Sequence, residues 1–494
     1  MISQHLAILQ IVLPLMAAPV CVIIRNPLAV WLWATTVAWL CLPISVILLI
    51  RVLDSGVITY ELGGWAAPWG IEYRIDTLNA FVLVIVSAIG AIVLPYARRT
   101  VIAEIPHNRI YLFYTMLLLC ETGLLGITIT GDAFNLFVFL EISSLSSYVL
   151  ISFGKDRRAL TAAYRYLIMG TIGATFYIIG VGLIYNATGS LNIHDLSILV
   201  PKLGDSRTVH AALAFLTVGL ALKLALFPLH MWLPSAYTYA PSAVTVFLAA
   251  TATKVAVYAL IRVTYTIFGT VDILDTVAVR EVLMALSLLA MFVGSLVAIF
   301  QVNVKRMLAY SSIAQIGYMV LGLSFDTVTG VAAGIIHLFN HALMKGSLFM
   351  VLGAVMYRTG SVQLHDMAGL GKSMPLTMAA FVAGGFSLIG IPLTVGFVSK
   401  WYLIQAALEK GWWPVAILIV ICSLLAVIYV WRVVEVVYFK QSPGTAARSV
   451  EAPLSLVVPT WILLGAVIYF GIDATITLDI AINAAKALML VGGV

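Results

Sequence analysis

The segment FNLFVFLEISSLSSYVL, residues Phe134–Leu150, places one carboxylate, that of Glu141, inside a run of apolar residues. Such a run is typical of a helix buried in a membrane or in a protein core. A charged side chain at the centre of a bilayer costs about 2.5–3.5 kcal/mol, and the charges that persist there are usually functional. Glu141 is therefore the first candidate functional residue.

The composition around this segment indicates a membrane protein. Of the 494 residues, 62% are hydrophobic and 10% are charged, whereas soluble domains carry about 25% charged residues. Apolar runs of about 20 residues, long enough to cross a bilayer as helices, recur along the whole chain. The sequence predicts an all-α, multi-pass membrane protein with a single membrane domain over residues 1–494. Its fourteen predicted spans are 5–24, 28–53, 77–96, 110–130, 132–153, 161–186, 209–233, 241–268, 281–301, 305–324, 328–357, 376–408, 412–438 and 454–485.

The basic residues indicate orientation rather than nucleic-acid binding. The net charge is +6, but Lys and Arg stand singly or in small groups between apolar runs. No Lys/Arg-rich run with interleaved aromatic residues is present, so we expect no nucleic-acid partner. Loops that concentrate basic residues, such as those around Arg98, Lys155 and Lys305, face the cytoplasm in membrane proteins. This pattern predicts that both chain termini lie outside.

The cysteines indicate neither a disulfide framework nor a metal centre. They lie singly within apolar segments, without a Cys-x-x-Cys pair, which argues against disulfides, Fe–S clusters and zinc sites. No nucleotide-binding or redox motif is present either. The sequence therefore predicts no cofactor and no metal. The four cysteines are Cys21, Cys41, Cys120 and Cys422.

A short sequence repeat indicates internal symmetry. TGSLNIHD at residues 188–195 recurs as TGSVQLHD at residues 359–366, with Thr, Gly, Ser, His and Asp in the same register. The copies are five predicted spans apart. Because this number is odd, the copies lie on opposite sides of the membrane, which is the inverted-topology repeat of many secondary transporters.

Each copy is followed by a helix that the sequence interrupts. Pro228 stands inside ALKLALFPLHMWLP, residues 221–234, and Gly390 and Pro392 stand inside GGFSLIGIPLTVGFVSK, residues 384–400. Proline removes a backbone donor and clashes with the preceding turn, so both helices should break within the membrane. Paired broken helices in corresponding positions indicate an ion path.

Ionisable residues recur within the apolar spans and form the predicted proton path. We expect Glu141 to pair with Lys223, because an opposite charge within about 4–6 Å keeps a carboxylate ionised. His337, His341 and Lys345 are spaced i, i+4 and i+8 and share one face of a helix, and histidine titrates near neutrality. The predicted row is Glu141, Lys223, Lys254, His337, His341, Lys345 and Lys400, with Ser143, Ser144, Ser146, Ser147 and Tyr148 as candidates to hold water.

Several of these residues have simpler explanations. The Glu141–Lys223 pair alone would also serve as a structural staple, and His230 is better suited to cap the broken helix or to line water than to relay protons. His337 and His341 would suit a haem or metal only with a second histidine pair on a neighbouring span, and none is present. Glu435 is expected to pair with Arg432, three residues earlier, as a structural contact. Glu121 receives no role.

Four motifs carry a family resemblance. They are GDAFNLFVFLEISSLSSYVL (residues 131–150), K-x4-P-x-H-x-WLP (residues 223–234), KRMLAYSSIAQIGY (residues 305–318) and HLFNHALMKGSLF (residues 337–349). Together they resemble the proton-conducting antiporter family, over roughly residues 75–440. This family includes the large subunits of Mrp-type multisubunit Na+/H+ antiporters and the antiporter-like subunits of respiratory complex I and of membrane-bound hydrogenases. The GDxFNLFVFxE form resembles the D-type large subunit of the Mrp antiporters.

The resemblance implies a core of about fourteen helices with two inverted five-helix repeats and broken helices 7 and 12. The regions it implies are 1–109 for helices 1–3, 110–270 for the first repeat, 280–440 for the second and 450–494 for helix 14. It also implies that Glu141 and Lys223 form the first-repeat pair, that Lys254 connects the repeats and that Lys400 is the terminal site. His337, His341 and Lys345 become the central relay. Asn303 departs from the pattern, because many relatives carry Asp there.

The sequence thus predicts a proton-translocating subunit of a multisubunit monovalent cation/proton antiporter, with Na+ as the first candidate cation. We expect a transporter rather than an enzyme, in the inner (plasma) membrane of a prokaryote and assembled with other membrane subunits. One alternative is a proton-pumping subunit of a redox-driven complex, complex I-like or hydrogenase-like. An alternative of another class is a non-conducting assembly scaffold. The sequence leaves the cation path and the stoichiometry open.

Overall fold

A computed structural model of the chain describes residues 5–204, 206–269, 278–441 and 450–490, and these residues are almost entirely helical. Within them, thirteen helical segments are long and apolar enough to cross a membrane. The twelfth predicted span, 376–408, consists of two 15-residue half-helices. The first repeat and the region before it contain α1 (Leu6–Ile24), α2 (Pro27–Ser55), β1 (Ile58–Glu61), β2 (Glu72–Ile75), α3 (Thr77–Glu104), α4 (Ile110–Ile129), α5 (Ala133–Ser152), α6 (Arg158–Thr188), α7 (Ile193–Leu199), α8 (Arg207–Leu224), α9 (Leu233–Tyr239), α10 (Ser242–Ala250) and α11 (Ala252–Ile261). The remainder contains α12 (Val279–Ile299), α13 (Val304–Ser324), α14 (Val328–Thr359), α15 (Leu370–Ser373), α16 (Pro375–Ile389), α17 (Val395–Glu409), α18 (Trp413–Phe439), α19 (Leu454–Ile472) and α20 (Thr475–Leu490).

Backbone hydrogen bonds give the internal repeat a structural basis. In each copy, the TGS turn pairs antiparallel with the residues that precede a membrane helix, α5 in the first copy and α13 in the second. Five crossings, made by α5, α6, α8–α9, α10–α11 and α12, separate these two places, so they lie on opposite faces. The two repeats are therefore inverted. The equivalent bonds are Ala133 N to Leu191 O and Ile193 N to Gly131 O in the first repeat, and Val304 N to Val362 O and Leu364 N to Val302 O in the second.

Both predicted helix breaks are present. The first interrupts the chain between α8 and α9, where Ala225 adopts a left-handed φ of 61°. The second separates α16 from α17, where Gly390 adopts a φ of 94°. Glycine reaches this conformation without strain, whereas alanine does so at a cost. Each break frees backbone carbonyls within the membrane.

A third break separates α10 from α11, and the sequence analysis did not predict it. Thr251 leaves the helical region with φ −124° and ψ −59°, and its hydroxyl donates to Phe247 O at 2.6 Å. Threonine hydroxyls that bond to the preceding turn compete with the helix and bend it. Neither Pro nor Gly lies in this segment, so the usual signal for a break is missing.

The last predicted span, 454–485, contains two helices rather than one. α19 ends at Ile472, and the side chain of Asp473 accepts a hydrogen bond from Thr475 N at 3.0 Å at the start of α20. A Cβ on Gly471 would lie 2.4 Å from the Cα of Thr394, so the chain bends where it meets the break between α16 and α17. The sequence did not reveal this bend, because the contact is with a distant segment.

Both described ends of the chain lie on the face that holds the β1–β2 hairpin. The ring of His5 contacts Tyr60 OH at 3.0 Å, and Leu488 of α20 lines a pocket together with Gly56 and Arg74. The prediction that the termini share one side agrees with this arrangement. Whether that side is the outer one stays a prediction.

Candidate proton-translocation site

The predicted Glu141–Lys223 pair is present. Asp132 caps α5 by accepting a hydrogen bond from Asn135 N at 2.7 Å, and Glu141 lies further along this helix. Lys223 lies in the last turn of α8, beside the first break. Its Nζ lies 3.2 Å from Glu141 Oε1 and donates to Ser144 Oγ at 2.7 Å. The side chain of Lys223 is 4% exposed and that of Glu141 is 23% exposed, so the pair is largely desolvated.

A small polar cavity of about 20 Å³ adjoins this pair. Its wall includes Lys223, Ser144 and Ser147, together with Ala256 of α11. A cavity of about 10–15 Å³ already accommodates one water molecule when polar partners are present. Ser144 and Ser147 thus line a space large enough for one water, and their role in holding water stays a prediction. The wall also connects the first-repeat pair to the helix that carries Lys254.

Tyr148 lies outside that cavity wall. Its hydroxyl is buried without a hydrogen-bond partner among the described residues, and its ring packs edge-on against Tyr166 at 4.7 Å. The ring of His230 stacks on Phe227 at 5.3 Å, within the first break. Both rings therefore pack near the break, and the roles of Tyr148 in holding water and of His230 in capping, lining water or relaying protons stay predictions.

Lys254 binds the carbonyl freed by the third break. Its ammonium donates to Ala249 O, near the end of α10, and to Thr253 Oγ1 at 3.2 Å. Lys254 is 1% exposed and has no carboxylate partner among the described residues. A cation at a helix C-terminus is stabilised by the partial negative charge of the unpaired carbonyls. This contact explains how a lysine is held in the interior without a counter-ion.

Lys400 uses the same arrangement at the second break. Its Nζ donates to Leu388 O at 2.9 Å and Ile389 O at 2.8 Å, the last two carbonyls of α16. It also lies 5.0 Å from the centre of the Tyr318 ring, within the range of a cation–π contact. Lys400, on α17, therefore caps the C-terminus of α16.

The three residues predicted to share a face of α14 are fully buried. The rings of His337 and His341 are nearly parallel, with centroids 6.2 Å apart. His337 Nδ1 contacts Ser399 Oγ at 2.7 Å, next to Lys400 in the chain. Neither ring nitrogen of His341 has a partner in the described part of the protein. Lys345 donates to Leu308 O at 2.9 Å and to Ser311 Oγ.

Some members of the predicted row contact each other directly, and others do not. Glu141 and Lys223 touch, and His337 reaches the Lys400 segment through Ser399. Lys254 lies near enough to His341 and Lys345 to interact with them electrostatically. The steps between these groups need water, for which polar side chains and one cavity are in place.

The sequence analysis did not identify the side chains that contact the lysines and histidines of the predicted row. Ser311, Tyr318 and Ser399 all lie in motifs that the sequence analysis singled out, but no spacing rule relates them to a lysine on another helix. The prediction that Glu435 pairs with Arg432 is wrong, because Glu435 lies 3.4 Å from Lys440. The Lys440 side chain extends back along α18 to the Glu435 carboxylate, near the end of the helix.

Glu121 on α4 lies apart from the row. It is fully buried, and neither carboxyl oxygen has a hydrogen-bond partner within the described residues. It faces α3, where a Cβ on Gly90 would lie 2.3 Å from Glu121 Oε1. A larger side chain at position 90 would therefore require the Glu121 carboxyl group to move.

Asn303, which departs from the family pattern, caps a helix, and the predicted lack of a metal site can be compared with the described residues. The Asn303 side chain caps α13 by accepting from Arg306 N at 3.1 Å, which is the role Asp132 has on α5. The described residues contain no group of three or more His, Cys, Asp or Glu side chains arranged to hold a metal. The absence of a cofactor and of a metal stays a prediction.

Comparison with known proteins connects this architecture to a family. Residues 130–426 match the family described as "NADH:quinone oxidoreductase/Mrp antiporter, TM". NADH-quinone oxidoreductase subunit N of Desulforudis audaxviator (strain MP104C) is 45% identical over 425 residues, covering 84% of each chain. Antiporter subunit mnhD2 of Staphylococcus haemolyticus (strain JCSC1435) is 32% identical over 486 residues, covering 98% of this chain and 96% of that one.

A solved structure extends the similarity to the whole fold. A chain in the Mrp complex from Dietzia sp. DQ12-45-1b is 27% identical, with a TM-score of 0.90, and the match covers 99% of this chain and 98% of that one. The resemblance inferred from four motifs is confirmed, and with it the broken helices and inverted repeats. The chain belongs to the NADH:quinone oxidoreductase/Mrp antiporter membrane family and is one of its antiporter-like subunits.

Proposed function

We propose that this chain translocates protons as a subunit of a multisubunit monovalent cation/proton antiporter. The observation that carries the proposal is the Glu141–Lys223 ion pair, held beside a serine-lined cavity and a broken helix. Protons pass from this pair through Lys254 to His337, His341 and Lys345, and then to Lys400. The row extends from the first repeat into the second.

The pair is suited to switching. Burial disfavours both charges, while their mutual attraction stabilises them, so a third charge that draws Glu141 away leaves the Lys223 ammonium without its counter-ion. Lys223 then releases its proton more readily toward the cavity. Lys254 and Lys400 bind freed carbonyls instead of carboxylates, so each can lose its proton without leaving a carboxylate unpaired.

The setting of the subunit follows from the same reasoning. We expect other membrane subunits as partners, a lipid bilayer around the exposed apolar faces, and the plasma membrane of a prokaryote as the location, with both termini outside. Na+ is the first candidate for the exchanged cation, and its path is expected to use groups beyond the proton row. The chain is expected to act as a transporter subunit without an enzymatic reaction of its own.

Everted vesicles from cells that express the complete complex test the proposal. Glu141→Ala and Lys223→Ala should each reduce cation-dependent proton flux to the level of vesicles without the complex, because the first exchange site is lost. Glu281→Ala and Lys372→Ala are the matched controls, since both side chains are exposed. If the Glu141 and Lys223 variants assemble normally and keep full flux, the chain does not conduct protons and the assembly-scaffold alternative is favoured.

A second candidate is a proton-pumping subunit of a redox-driven complex. The 45% identity to a NADH-quinone oxidoreductase subunit N favours it specifically. Purification with native partners, followed by mass spectrometry, separates the two: small antiporter subunits support the antiporter, and Fe–S or hydrogenase-type subunits support the redox-driven pump.

A further inference from the structure

The helix that carries Lys254 continues as a line of polar side chains toward the face that holds the β1–β2 hairpin. Lys254, Tyr258 and Arg262 are spaced i, i+4 and i+8, so they share one face of α11 and of the π-helical turn that follows it, Arg262–Ile267. The proton row described above uses only Lys254. The other two residues are buried as well.

Hydrogen bonds join this line to the end of another helix. Arg262 Nε donates to Tyr258 OH at 3.0 Å, and Arg262 Nη2 forms an ion pair with Asp76 Oδ1 at 2.6 Å. Tyr258 OH donates to Thr128 O at 2.8 Å. Asp76 also caps α3 by accepting from Asn79 N at 3.1 Å. Each polar group along the line thus has a defined partner.

This line ends in a pocket of about 210 Å³, which we name the hairpin-side pocket. A volume of this size holds several water molecules, since one water occupies about 30 Å³ in the liquid. The pocket reaches inward as far as Tyr258, and α20 forms part of its wall. Its polar lining includes Arg74, Asp76, His194, Ser197, Tyr258 and Arg262.

The titratable groups around the pocket have defined charge states. Burial alone would raise the pKa of Asp76, but the Arg262 guanidinium and the capping amides hold that pKa below its usual value. Burial and the nearby Arg74 lower the pKa of His194. At neutral pH the pocket therefore combines a closed Asp76–Arg262 ion pair with a neutral imidazole.

We propose that the hairpin-side pocket is a water-filled access site through which Lys254 exchanges protons with the β1–β2 side of the membrane, with the Tyr258 hydroxyl as the relay. A hydrated proton that enters the pocket is passed to the Tyr258 oxygen, the hydroxyl proton leaves Thr128 O and passes through a bridging water to the neutral amine of Lys254, and the pocket water is left neutral. The reverse transfers release a proton to the pocket. Along the backbone, about 6 Å of helix rise separates Lys254 from Tyr258. In the structure the Lys254 ammonium contacts Ala249 O, so it must turn toward Tyr258 to take up the proton.

The Asp76–Arg262 pair positions the relay in this scheme. Arg262 donates to the Tyr258 oxygen while the hydroxyl donates to Thr128 O, so the orientation of the hydroxyl is fixed at the inner end of the pocket. Access through this pocket rests on the proposed function, because it needs Lys254 to carry protons. It adds a contact with water in the first repeat, on the side of the membrane that the hairpin faces.

Cysteine labelling in the intact complex tests whether the pocket is open to water. All four native cysteines are buried, so the background is low. Ser197→Cys should react with a charged, membrane-impermeant thiosulfonate only from the β1–β2 side, whereas Ser287→Cys, a fully buried serine outside the pocket, should not react. Thr266→Cys, also in the pocket wall, provides a second variant if the first does not assemble. Absence of labelling in both, or labelling from the opposite side, overturns the proposal.

Transport measurements test whether the pocket serves Lys254. The charged group that the thiosulfonate attaches through a disulfide to the cysteine of Ser197→Cys should block proton flux. A reductant that cleaves this disulfide should restore the flux. Tyr258→Phe should lower the flux by about tenfold or more, as expected when one positioned proton donor is lost, while Tyr265→Phe, on the π-helical turn but outside the pocket wall, should not. Labelling without inhibition, or full flux in Tyr258→Phe, overturns the access role. Full flux in Glu141→Ala would instead overturn the proposed function, whatever the labelling shows.

Discussion

The side chain of Glu141 contacts the Lys223 ammonium, which also donates to the Ser144 hydroxyl, and this small number of contacts makes the pair sensitive to single substitutions. A desolvated ion pair contributes little net stability, but removal of one partner leaves the other charge unpaired. The energetic consequence of a substitution therefore depends on whether one charge or both are removed.

A double-mutant cycle on this pair should separate stability from transport. Lys223→Met should lower the stability of the subunit by about 3 kcal/mol, the low end for a broken buried pair, because Glu141 keeps some contact with its surroundings. Combining it with Glu141→Gln should recover most of that loss, while proton flux remains absent in both. Thermal unfolding of the purified complex and flux in vesicles provide the two measurements. A double variant no more stable than Lys223→Met would show that the two charges do not interact.

The sequence predicted side-chain contacts correctly where opposite charges on the side chains indicated the partner. A carboxylate and a lysine buried in apolar spans have few ways to avoid an unpaired charge, so Glu141 and Lys223 could be matched. The partners of Lys254 and Lys400 could not be predicted, because both lysines bind main-chain carbonyls. Every residue carries a carbonyl, so the sequence does not mark which of them becomes free.

Among the elements, the crossing of α6 and α8 fixes the position of Lys223. Gly173 and Gly219 face each other at this crossing: a Cβ on Gly219 would lie 2.7 Å from Gly173 O and 2.8 Å from Tyr177 N. These are backbone atoms, so they cannot move aside as a flexible side chain would. Lys223 lies one turn beyond Gly219 on α8, and its reach to Glu141 depends on this close packing.

Gly219→Ala should therefore destabilise the protein by about 1–3 kcal/mol, as overpacking does in a close-packed interior. It should also lower proton flux, because the displaced helix moves Lys223 away from Glu141. Gly182→Ala, on α6 with no atom within 4 Å of the new Cβ, is the matched control and should change neither quantity. Thermal unfolding and vesicle flux test both claims. Unchanged stability in Gly219→Ala would mean that the two helices separate at no cost.

Element boundaries followed from sequence where a residue dictates backbone geometry. Pro228, Gly390 and Pro392 mark two breaks, and both are present. The break at Thr251 and the bend after Ile472 carry no such residue. Thr251 bonds to its own preceding turn, and the bend results from packing of Gly471 against Thr394, so both depend on tertiary context.

At the scale of the whole molecule, inversion places the two broken helices in related positions and leaves Lys254 and the α14 residues between them. The five-residue match in the TGS segments was enough to predict this symmetry, since both copies pair with the start of a membrane helix in the same way. Composition and apolar periodicity supplied the number of spans. The water path between the charged groups needed coordinates, because it depends on cavities formed by residues far apart in the chain.

The symmetry and the charge distribution together predict which face is outside. The loops that contain Lys155 and Lys372 lie on one side and the β1–β2 hairpin on the other, and the excess of Lys and Arg assigns the first side to the cytoplasm. Ala66→Cys, exposed in the hairpin connection, should react with an impermeant thiol reagent in intact cells, and Lys372→Cys should react only in everted vesicles. Both substitutions fall on exposed positions away from the proton row, so assembly and flux should be unaffected. The opposite labelling pattern would reverse the orientation and place the hairpin-side pocket in contact with the cytoplasm.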